Sequence, residues 1–444
     1  MRIINGIEQG RALLTRRPGY DASVPEAVQK RTDHIFGESL SAEDAVRRIL
    51  SDVRQNGDTS VRDYARRIDS VELTELEVPK KAWAAALKDI PQHVTDALNT
   101  AAERIRAFSR ASMPKGWRDA ATGLGETLVP LERVGLYVPG GTAAYPSTVL
   151  MDAIPAREAG VSEIILCTPA PEPVTLAAAH IAGVDRLFQI GGAQAIGAMA
   201  YGTESVPRVD KICGPGNIFV AVAKREVYGQ VDIDGLYGPT ETVVVADDTA
   251  DPALCAADLL AQAEHDVMAS PVLLTTSQTL AQQVNAEVEA QLARMDRMDI
   301  ASQAVERQGM IVVIDTLDEA VELTNAYAPE HVCLLVRDPE SLVGKIRHAG
   351  GIFLGEYSPE VIGDYVAGPS HTMPTGGTAR FGSYLGVHQF LRRVPVVGLS
   401  AETFRKVGPA AAALGRAEGL TGHANAVDLR LEGQGGQFDS DRGG

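Results

Sequence analysis

The chain has 444 residues, of which 45% are hydrophobic and 22% are charged, and its formal net charge at pH 7 is −17. This length predicts roughly two to four domains, and the composition is ordinary for a soluble globular protein. The strong negative charge argues against nucleic acid as a partner, because the phosphates would be repelled.

Cysteine usage and hydropathy indicate the compartment. The cysteines are Cys167, Cys213, Cys255 and Cys333, and none forms a C-x-x-C pair. This pattern is typical of small core residues in a reducing compartment, and not of a disulfide framework or a thiolate metal site. The N-terminal "MRIINGIEQGRALLTRR" has no apolar stretch typical of a signal peptide, and no run approaches the ~18 apolar residues of a membrane span. We therefore expect a cytosolic protein with no membrane partner.

The first quarter of the chain is helical in character after a mixed N-terminal segment, 1–30. The stretch "SAEDAVRRILSDVRQNGDTSVRDYARRIDS", 41–70, predicts a pair of amphipathic helices, with Ser41 as the first N-cap and Gly57 as the break. Helical spacing continues to about residue 112. Nothing here indicates chemistry, and His34 and His93 are expected on solvated helix faces.

From about residue 134 short apolar runs alternate with Ala-rich helical segments. The runs are "EIILCTPA", "RLFQIGG", "KICGPG", "TVVVAD", "PVLLTTS", "MIVVID", "HVCLLV" and "GIFLGE". Strands flanked by helices predict βαβ units, largely parallel sheets and the α/β class. We divide the chain into a first α/β domain (31–133 with 243–388), a second (134–242) and a C-terminal segment (389–444). That last segment is predicted to be helical, with a disordered tail from about 432.

Three glycine clusters have the order strand, tight turn, helix: "GLYVPGGTAAYPSTVLM" (135–151), "QIGGAQAIGAMAYG" (189–202) and "KICGPGNIFVAVAKREVYG" (211–229). Such turns direct free backbone N–H groups toward an anionic ligand such as a pyrophosphate. None matches G-x-G-x-x-G, so the standard dinucleotide fingerprint is absent. The clusters alone leave open either a phosphate or nucleotide site or ordinary strand-to-helix turns.

The pair Glu330–His331 in "YAPEHVCLLV" stands at the start of an apolar strand. It could lie on a solvated loop, or it could act as a general acid/base pair at the end of a sheet strand. Three further pairs of polar residues are weak signals individually: Gln262 and His265 on one helix face, Asp364 and His371 on a Gly/Pro-rich loop, and Glu418 and His423 near the C-terminus. Together they supply an N/O ligand set suited to zinc and, with lower preference, to manganese or cobalt.

Six blocks in this order closely resemble histidinol dehydrogenase, over about residues 35 to 430: "VGLYVPGGTAAYPSTVLMDAIPAREAGV", "GGAQAIGAMAYGTESVPRVDKICGPGN", "LLAQAEHD", "YAPEH", "GDYVAGPSHTMPTGGTARF" and "AEGLTGHANAV". The resemblance implies two Rossmann-like domains of the aldehyde dehydrogenase/histidinol dehydrogenase type and oxidation of L-histidinol to L-histidine. It also implies two NAD and one zinc per site, in a homodimer whose C-terminal segment reaches the partner's site.

Carried over by position, the resemblance makes four residues zinc ligands and assigns Glu330 and His331 to catalysis. The ligands are Gln262, His265, Asp364 and His423, with His423 coming from the other subunit. NAD contacts fall on Tyr137, Gln194 and Asn217. Substrate contacts fall on Thr240, Gln262, His265, His331, Asp364, His371, Glu418 and His423.

The reaction gives the acid/base pair its expected roles. An unperturbed imidazole titrates near 6.5, so His331 is expected to take protons from the alcohol and from the hydrated aldehyde. Glu330 is expected to take a proton from the hydrating water. Two positions depart from the family's commonest form: Thr240 replaces Ser in "GPTE", and Ser370 replaces Asn in "GPSH". Alternatives are a related dehydrogenase of another polar alcohol such as sulfopropanediol, and a non-catalytic two-lobed binding protein.

Overall fold

The computed structural model describes residues 1–16, 26–140 and 144–433. Its strands, in chain order, are β1 (Arg2–Asn5), β2 (Trp117–Asp119), β3 (Leu124–Pro130), β4 (Arg133–Tyr137), β5 (Glu163–Cys167), β6 (Arg186–Phe188), β7 (Lys211–Cys213), β8 (Asp232–Ile233), β9 (Glu241–Ala246), β10 (Ser270–Thr275), β11 (Met310–Val313), β12 (His331–Leu335), β13 (Gly351–Leu354) and β14 (Leu391–Val397). The eight apolar runs predicted as strands are all strands, and the α/β class is confirmed.

The α-helices surround these strands. They are α1 (Ile7–Leu14), α2 (Glu26–Phe36), α3 (Ala42–Asn56), α4 (Asp58–Tyr64), α5 (Lys80–Asp89), α6 (Gln92–Ala111), α7 (Pro146–Glu158), α8 (Pro173–Ala182), α9 (Gly192–Tyr201), α10 (Ile218–Val227), α11 (Pro252–Ala263), α12 (Gln278–Leu292), α13 (Met298–Arg307), α14 (Leu317–Tyr327), α15 (Glu340–Val343), α16 (Glu360–Tyr365), α17 (Ala401–Ala417) and α18 (Thr421–Glu432). In the described part of the chain, no helix is both long and apolar enough to cross a membrane.

The helix boundaries predicted near residue 41 are confirmed. The Ser41 side chain accepts a hydrogen bond from the backbone N–H of Asp44, which satisfies one donor at the start of α3. Gly57 ends that helix at a positive φ of 53°, a conformation that glycine adopts readily. The buried face of α3 contains Val46, Ile49 and Val53.

Two all-parallel sheets lie in the larger of two compact units, Met1–Met113 with Pro130–Phe390. The six-stranded sheet has the order β1-β11-β10-β9-β12-β13, and the five-stranded sheet has the order β6-β5-β4-β7-β8. Apart from β1 at the edge of the first sheet, the strand order reverses direction between β9 and β12 in that sheet and between β4 and β7 in the second. Crevices at such reversals are where α/β proteins commonly bind ligands.

The N-terminal helices pack beside the five-stranded sheet. Helix α3 contacts α9 and α10, α5 contacts α8, and α6 contacts α7. Apolar residues of α3 share a core with residues of β5 and α9. This packing differs from the predicted grouping of 31–133 with 243–388, because the apolar face of α3 has its complement on helices between 134 and 242. The domain boundaries themselves remain a prediction.

The smaller unit contains Pro114–Val129 and the chain from Leu391 onward. It has a three-stranded sheet of order β14-β3-β2, followed by α17 and α18. The prediction that the chain is helical from 389 is wrong for β14, which is a strand. The predicted tail lies, from residue 434, outside the described residues.

All four cysteines are buried and carry free thiols, as the sequence predicted. Cys167 lies on β5, Cys213 on β7 and Cys333 on β12, while Cys255 lies on α11. Burial raises the pKa of the Cys255 thiol to about 12, so that thiol stays protonated at neutral pH.

Asp258 on α11 gives a pH-dependent contribution to stability. Burial raises the pKa of its carboxyl from 3.8 to about 6. Between these values the folded chain binds the proton that the unfolded chain has released, so the free energy of unfolding falls as pH rises. We expect the difference in the free energy of unfolding between Asp258→Asn and the native chain to increase by roughly 2–3 kcal/mol in favour of the variant from pH 4 to pH 7. Urea unfolding measures this difference.

Asp247 provides the matched control, because its pKa is lowered: burial raises it, and hydrogen bonds from the backbone N–H of Arg337 and from Thr249 outweigh that effect. Its contribution is present above its unfolded pKa and is lost as pH falls, so Asp247→Asn should show the opposite slope. Parallel pH profiles for native and Asp258→Asn chains would contradict the prediction.

Candidate active site

Glu330 and His331 are buried at the amino end of β12. Helix α14 ends at Tyr327, and Ala328 takes a left-handed conformation with φ 53° that turns the chain into the sheet. Glu330 is 8% exposed and His331 is 2% exposed, and His331 is the first residue of the strand. The two titratable groups therefore do not lie on a solvated loop.

Thr240 and Glu241, which precede and begin β9, contact both members of the pair. The Thr240 hydroxyl lies 2.6 Å from Glu330 Oε2 and 2.8 Å from Gln262 Oε1. The Glu241 backbone N–H donates to Glu330 Oε2 at 3.3 Å, and its carbonyl oxygen lies 3.3 Å from His331 Nδ1. Because β9 and β12 are paired neighbours, their amino ends hold the acid and the imidazole side by side.

His331 lies between two carboxylates. Its Nδ1 is 3.6 Å from Glu330 Oε2, and its Nε2 is 3.7 Å from Asp364 Oδ1. Burial lowers the pKa of His331, but Glu330, Asp364 and Glu360 together outweigh burial and raise it to about 10. The sequence-based assumption of an unperturbed imidazole near 6.5 is therefore wrong, since it omitted three carboxyl groups that lie near the ring.

In Glu330 burial is the dominant influence on the pKa. Burial raises the pKa of its carboxyl to about 7, although the neighbouring His331 pulls in the other direction. A carboxyl that titrates near neutral pH can accept and return a proton during turnover. Glu330 thus has acid/base capacity near neutral pH.

Gln262, His265 and Asp364 converge at the same place. Gln262 is in the last turn of α11, and its Nε2 donates to Asp364 Oδ2 at 3.3 Å. His265 was predicted on the same helix, but it lies in the turn directly after α11. Its backbone N–H donates to the Gln262 carbonyl at 3.1 Å. Asp364 is likewise not on a loop, because it lies in the short helix α16.

The side chains of this set fit a divalent metal in chemical type. Carboxylate, imidazole and amide oxygen are ligands that zinc accepts. Gln262 turns its amide N–H toward Asp364, and rotation of that amide would present its oxygen instead. Within the described ranges no three His, Cys, Asp or Glu side chains are grouped closely enough to hold a metal. Of the four predicted ligands, the larger unit contains Gln262, His265 and Asp364.

His423 and Glu418 belong to the smaller unit. His423 lies on α18 and Glu418 is the C-cap of α17, and both are exposed on the single chain. Their contribution to the site stays a prediction.

His371 is fixed by two hydrogen-bonding partners in the larger unit. Its Nδ1 lies 2.8 Å from the Asp364 carbonyl oxygen, and its Nε2 lies 3.1 Å from the Thr148 hydroxyl on α7. Burial lowers the pKa of His371, with Asp364 opposing, which favours the neutral ring at neutral pH. His371 therefore joins helices next to both parallel sheets.

The predicted cofactor residues gather at the strand reversal of the five-stranded sheet. Tyr137 ends β4, and its hydroxyl accepts a hydrogen bond from the Gly192 N–H at 3.1 Å. Gln194 is fully buried at the start of α9, and its Nε2 donates to Asp69 Oδ2 at 3.2 Å. Asn217 caps α10, accepting from the N–H groups of Phe219 and Val220 at 3.1 and 3.2 Å. Tyr137 is thus at the carboxyl end of β4, and Gln194 and Asn217 come after β6 and β7, on the side where nucleotides bind in such sheets.

Comparisons with known proteins identify the family. A family model described as histidinol dehydrogenase matches residues 36–431. Histidinol dehydrogenase from Dehalococcoides mccartyi (strain CBDB1) is 50% identical over 439 residues, covering 97% of this chain and 100% of the relative. The enzyme from Deinococcus radiodurans is 50% identical over 441 residues, with the same coverages of 97% and 100%.

This chain belongs to the histidinol dehydrogenase family. A crystal structure of histidinol dehydrogenase from Elizabethkingia anophelis has 34% identity and a TM-score of 0.89, covering 98% of this chain and 99% of that one. The resemblance stated from the six sequence blocks is confirmed.

Sequence reasoning missed two residues that the histidinol dehydrogenase fold brings into the site. Thr148 contacts His371, and Glu241 uses its main chain to hold both Glu330 and His331. The sequence signal for Glu241 was its place directly after Thr240 in "GPTE". The sequence gives no local signal for Thr148, because its contact is with a loop residue more than two hundred positions away.

Proposed function

We propose that this chain oxidises L-histidinol to L-histidine through L-histidinal, with two NAD consumed and one zinc used per site. The observation that carries the proposal is the buried Glu330–His331 pair beside Asp364, within a chain of the histidinol dehydrogenase family. Two successive oxidations at one carbon need a group that repeatedly accepts protons close to a substrate held in place, and this pair is placed for that task.

His331 is the proposed general base for both oxidations. Its Nε2 lies 3.7 Å from Asp364 Oδ1 and has no hydrogen-bond partner in the described part of the chain, and we assign this ring atom to the substrate hydroxyl. It takes a proton from the alcohol as hydride leaves for NAD, and later takes one from the hydrated aldehyde. A base must be neutral to act, and the charges of Glu330, Asp364 and Glu360 oppose neutrality. Occupation of Asp364 by a cation would remove part of that opposition.

Gln262, His265 and Asp364, with His423 of the partner subunit, are the proposed zinc ligands. Bound zinc would orient the imidazole and amine of the substrate and stabilise developing negative charge. His371, Thr240 and Glu418 are the remaining proposed substrate contacts. This arrangement requires a homodimer, and we place the protein in the cytoplasm because the reaction belongs to amino-acid biosynthesis.

Glu330 is proposed to take the proton from the water that adds to histidinal. Hydration must occur between the two hydride transfers, since the second oxidation acts on the hydrated aldehyde. The Thr240 hydroxyl and the Glu241 N–H fix one carboxyl oxygen of Glu330. Tyr137, Gln194 and Asn217 are the proposed NAD contacts at the reversal of the five-stranded sheet.

The test is nicotinamide absorbance during incubation of the zinc-loaded protein with NAD and one alcohol at a time. We expect L-histidinol to reduce NAD, with two NADH formed per histidine, and we expect no NADH without an alcohol. Reduction with sulfopropanediol and not with histidinol would favour the related dehydrogenase. No reduction with either alcohol would favour a non-catalytic homologue. The names of the relatives favour histidinol.

Glu330→Gln should separate hydration from oxidation. The amide keeps the size of the side chain but cannot take a proton, so turnover from histidinol should fall on the order of 10²-fold or more. The single-turnover oxidation of histidinol to the aldehyde should fall much less. Both are measured by stopped-flow NADH formation. Glu322→Gln, on the exposed face of α14, is the control, and an equal loss in both steps would contradict the assigned role.

A further inference from the structure

A buried ion pair lies beneath the third glycine turn, and nothing in the proposed chemistry uses it. Lys224 on α10 is 1% exposed, and its Nζ donates to Asp234 Oδ1 and, at 2.9 Å, to the carbonyl oxygen of Gly214. Asp234 Oδ2 accepts from the Gly214 N–H at 2.7 Å. The two side chains thus bond to each other and to both backbone polar groups of one glycine.

Gly214 occupies a position that tolerates no side chain. Its φ is +111°, and a Cβ at this position would lie 2.0 Å from the carbonyl oxygen of Tyr137. The glycine follows β7, and the turn it begins runs to Asn217, the N-cap of α10. The turn Gly214–Asn217 therefore lies against the end of β4, at the strand reversal where the cofactor is proposed to bind.

Stability alone gives a weak reason for a buried pair of charges here. Removing two charges from water offsets most of their attraction, and a neutral pair of similar volume is often equally stable. What an apolar pair of that volume cannot reproduce is simultaneous hydrogen bonding to the N–H and the carbonyl of Gly214. The ring of Tyr237 covers Lys224 Nζ at 4.8 Å from the ring centre and keeps water from competing for these bonds.

We propose that Lys224 and Asp234 are positioning residues for the cofactor, holding the turn Gly214–Asn217 in the conformation that receives NAD. This inference rests on the proposed function in that NAD is the cofactor. The pair acts through the backbone of Gly214, and neither side chain touches the dinucleotide.

The experiment measures NAD affinity by isothermal titration calorimetry on the full-length, zinc-loaded protein. Lys224→Met and Asp234→Asn are compared with the double variant Lys224→Met/Asp234→Asn. Each single variant should raise the Kd for NAD on the order of tenfold, since a charge-assisted hydrogen bond is lost. The double variant should be more heat-stable than Lys224→Met, because no charge is left buried alone, yet its Kd should stay raised.

The neighbouring pair Lys211–Asp232 is the matched control. It joins the same two residue types at the amino end of β7, with an Nζ–Oδ2 distance of 2.8 Å; Lys211 is buried, whereas Asp232 is exposed. Its side chains make no hydrogen bond to Gly214. Lys211→Met should leave the Kd for NAD within about twofold, as expected for a change away from the turn. In all variants kcat at saturating NAD and zinc content should remain close to native.

Two results would overturn the inference while the native chain binds NAD. One is recovery of NAD affinity together with stability in the double variant, which would make the pair purely structural. The other is an equal loss of affinity in Lys211→Met. Failure of the native chain to bind NAD at all would instead overturn the proposed function.

Discussion

Replacing His331 by Asn is expected to lower turnover of both histidinol and histidinal on the order of 10³-fold while bound zinc stays at the native level. The imidazole is 2% exposed and lies 3.6 Å from the Glu330 carboxylate and 3.7 Å from the Asp364 carboxylate, so the substitution removes the proton acceptor together with these two ionic contacts. Asparagine can still occupy the position of Nδ1 near the Glu241 carbonyl. Steady-state NADH formation and metal analysis measure the two quantities.

The pH profile provides a second readout of His331→Asn. A general base works when deprotonated, and Glu330 and Asp364 hold the pKa of His331 above its ordinary value. Activity of the native chain should therefore rise with pH above about 6.5, and the variant should lose that rise. His348→Asn is the control, since that ring bonds to the Asn325 carbonyl away from the site. Native turnover by His331→Asn would remove this residue from the chemistry.

Two inactive chains, His265→Ala and His423→Ala, are expected to regain activity when they are co-expressed. If His423 of one subunit completes the site of the other, each mixed dimer has one site with both native residues. Random pairing makes half of the dimers mixed, so specific activity should reach about a quarter of the native value. The specific activity of the co-expressed mixture should thus rise from near zero.

The control for co-expression is a pair of defects in the same half of the site. His265→Ala with Gln262→Ala leaves no mixed dimer with a complete site, because both residues lie in the larger unit. That mixture should stay inactive. Equal rescue in both mixtures would indicate exchange unrelated to site sharing, and no rescue in the first would argue against a shared site.

The fold was predictable where burial imposes a pattern. Central strands such as β9 and β12 are buried along their whole length and are continuous apolar runs in sequence. β14 lacks that pattern: it is an edge strand, mostly exposed, with two arginines and a proline. The partner of β14 is β3, which lies far away in the sequence, so nothing local in "LRRVPVV" indicates a strand.

In the site, the sequence indicated which residues are involved, but it did not indicate the neighbouring charges that set their pKa values. Glu330 and His331 were singled out by their position before an apolar run. The pKa of His331 depends on Asp364, which a short helix brings within 3.7 Å. No local pattern contains that distance, and the helix itself has only six residues, too few for a periodic signal.

The hydroxyl of Thr240 lies within hydrogen-bonding distance of two oxygen acceptors but has one hydrogen to give. While Glu330 is ionised, the Thr240 hydroxyl donates its hydrogen to the Glu330 carboxylate, and the amide oxygen of Gln262 receives no hydrogen bond from it. Once Glu330 takes up a proton, the direction of the bond can reverse, and the threonine is free to donate to Gln262. The hydrogen bond available to Gln262 therefore depends on the protonation state of Glu330.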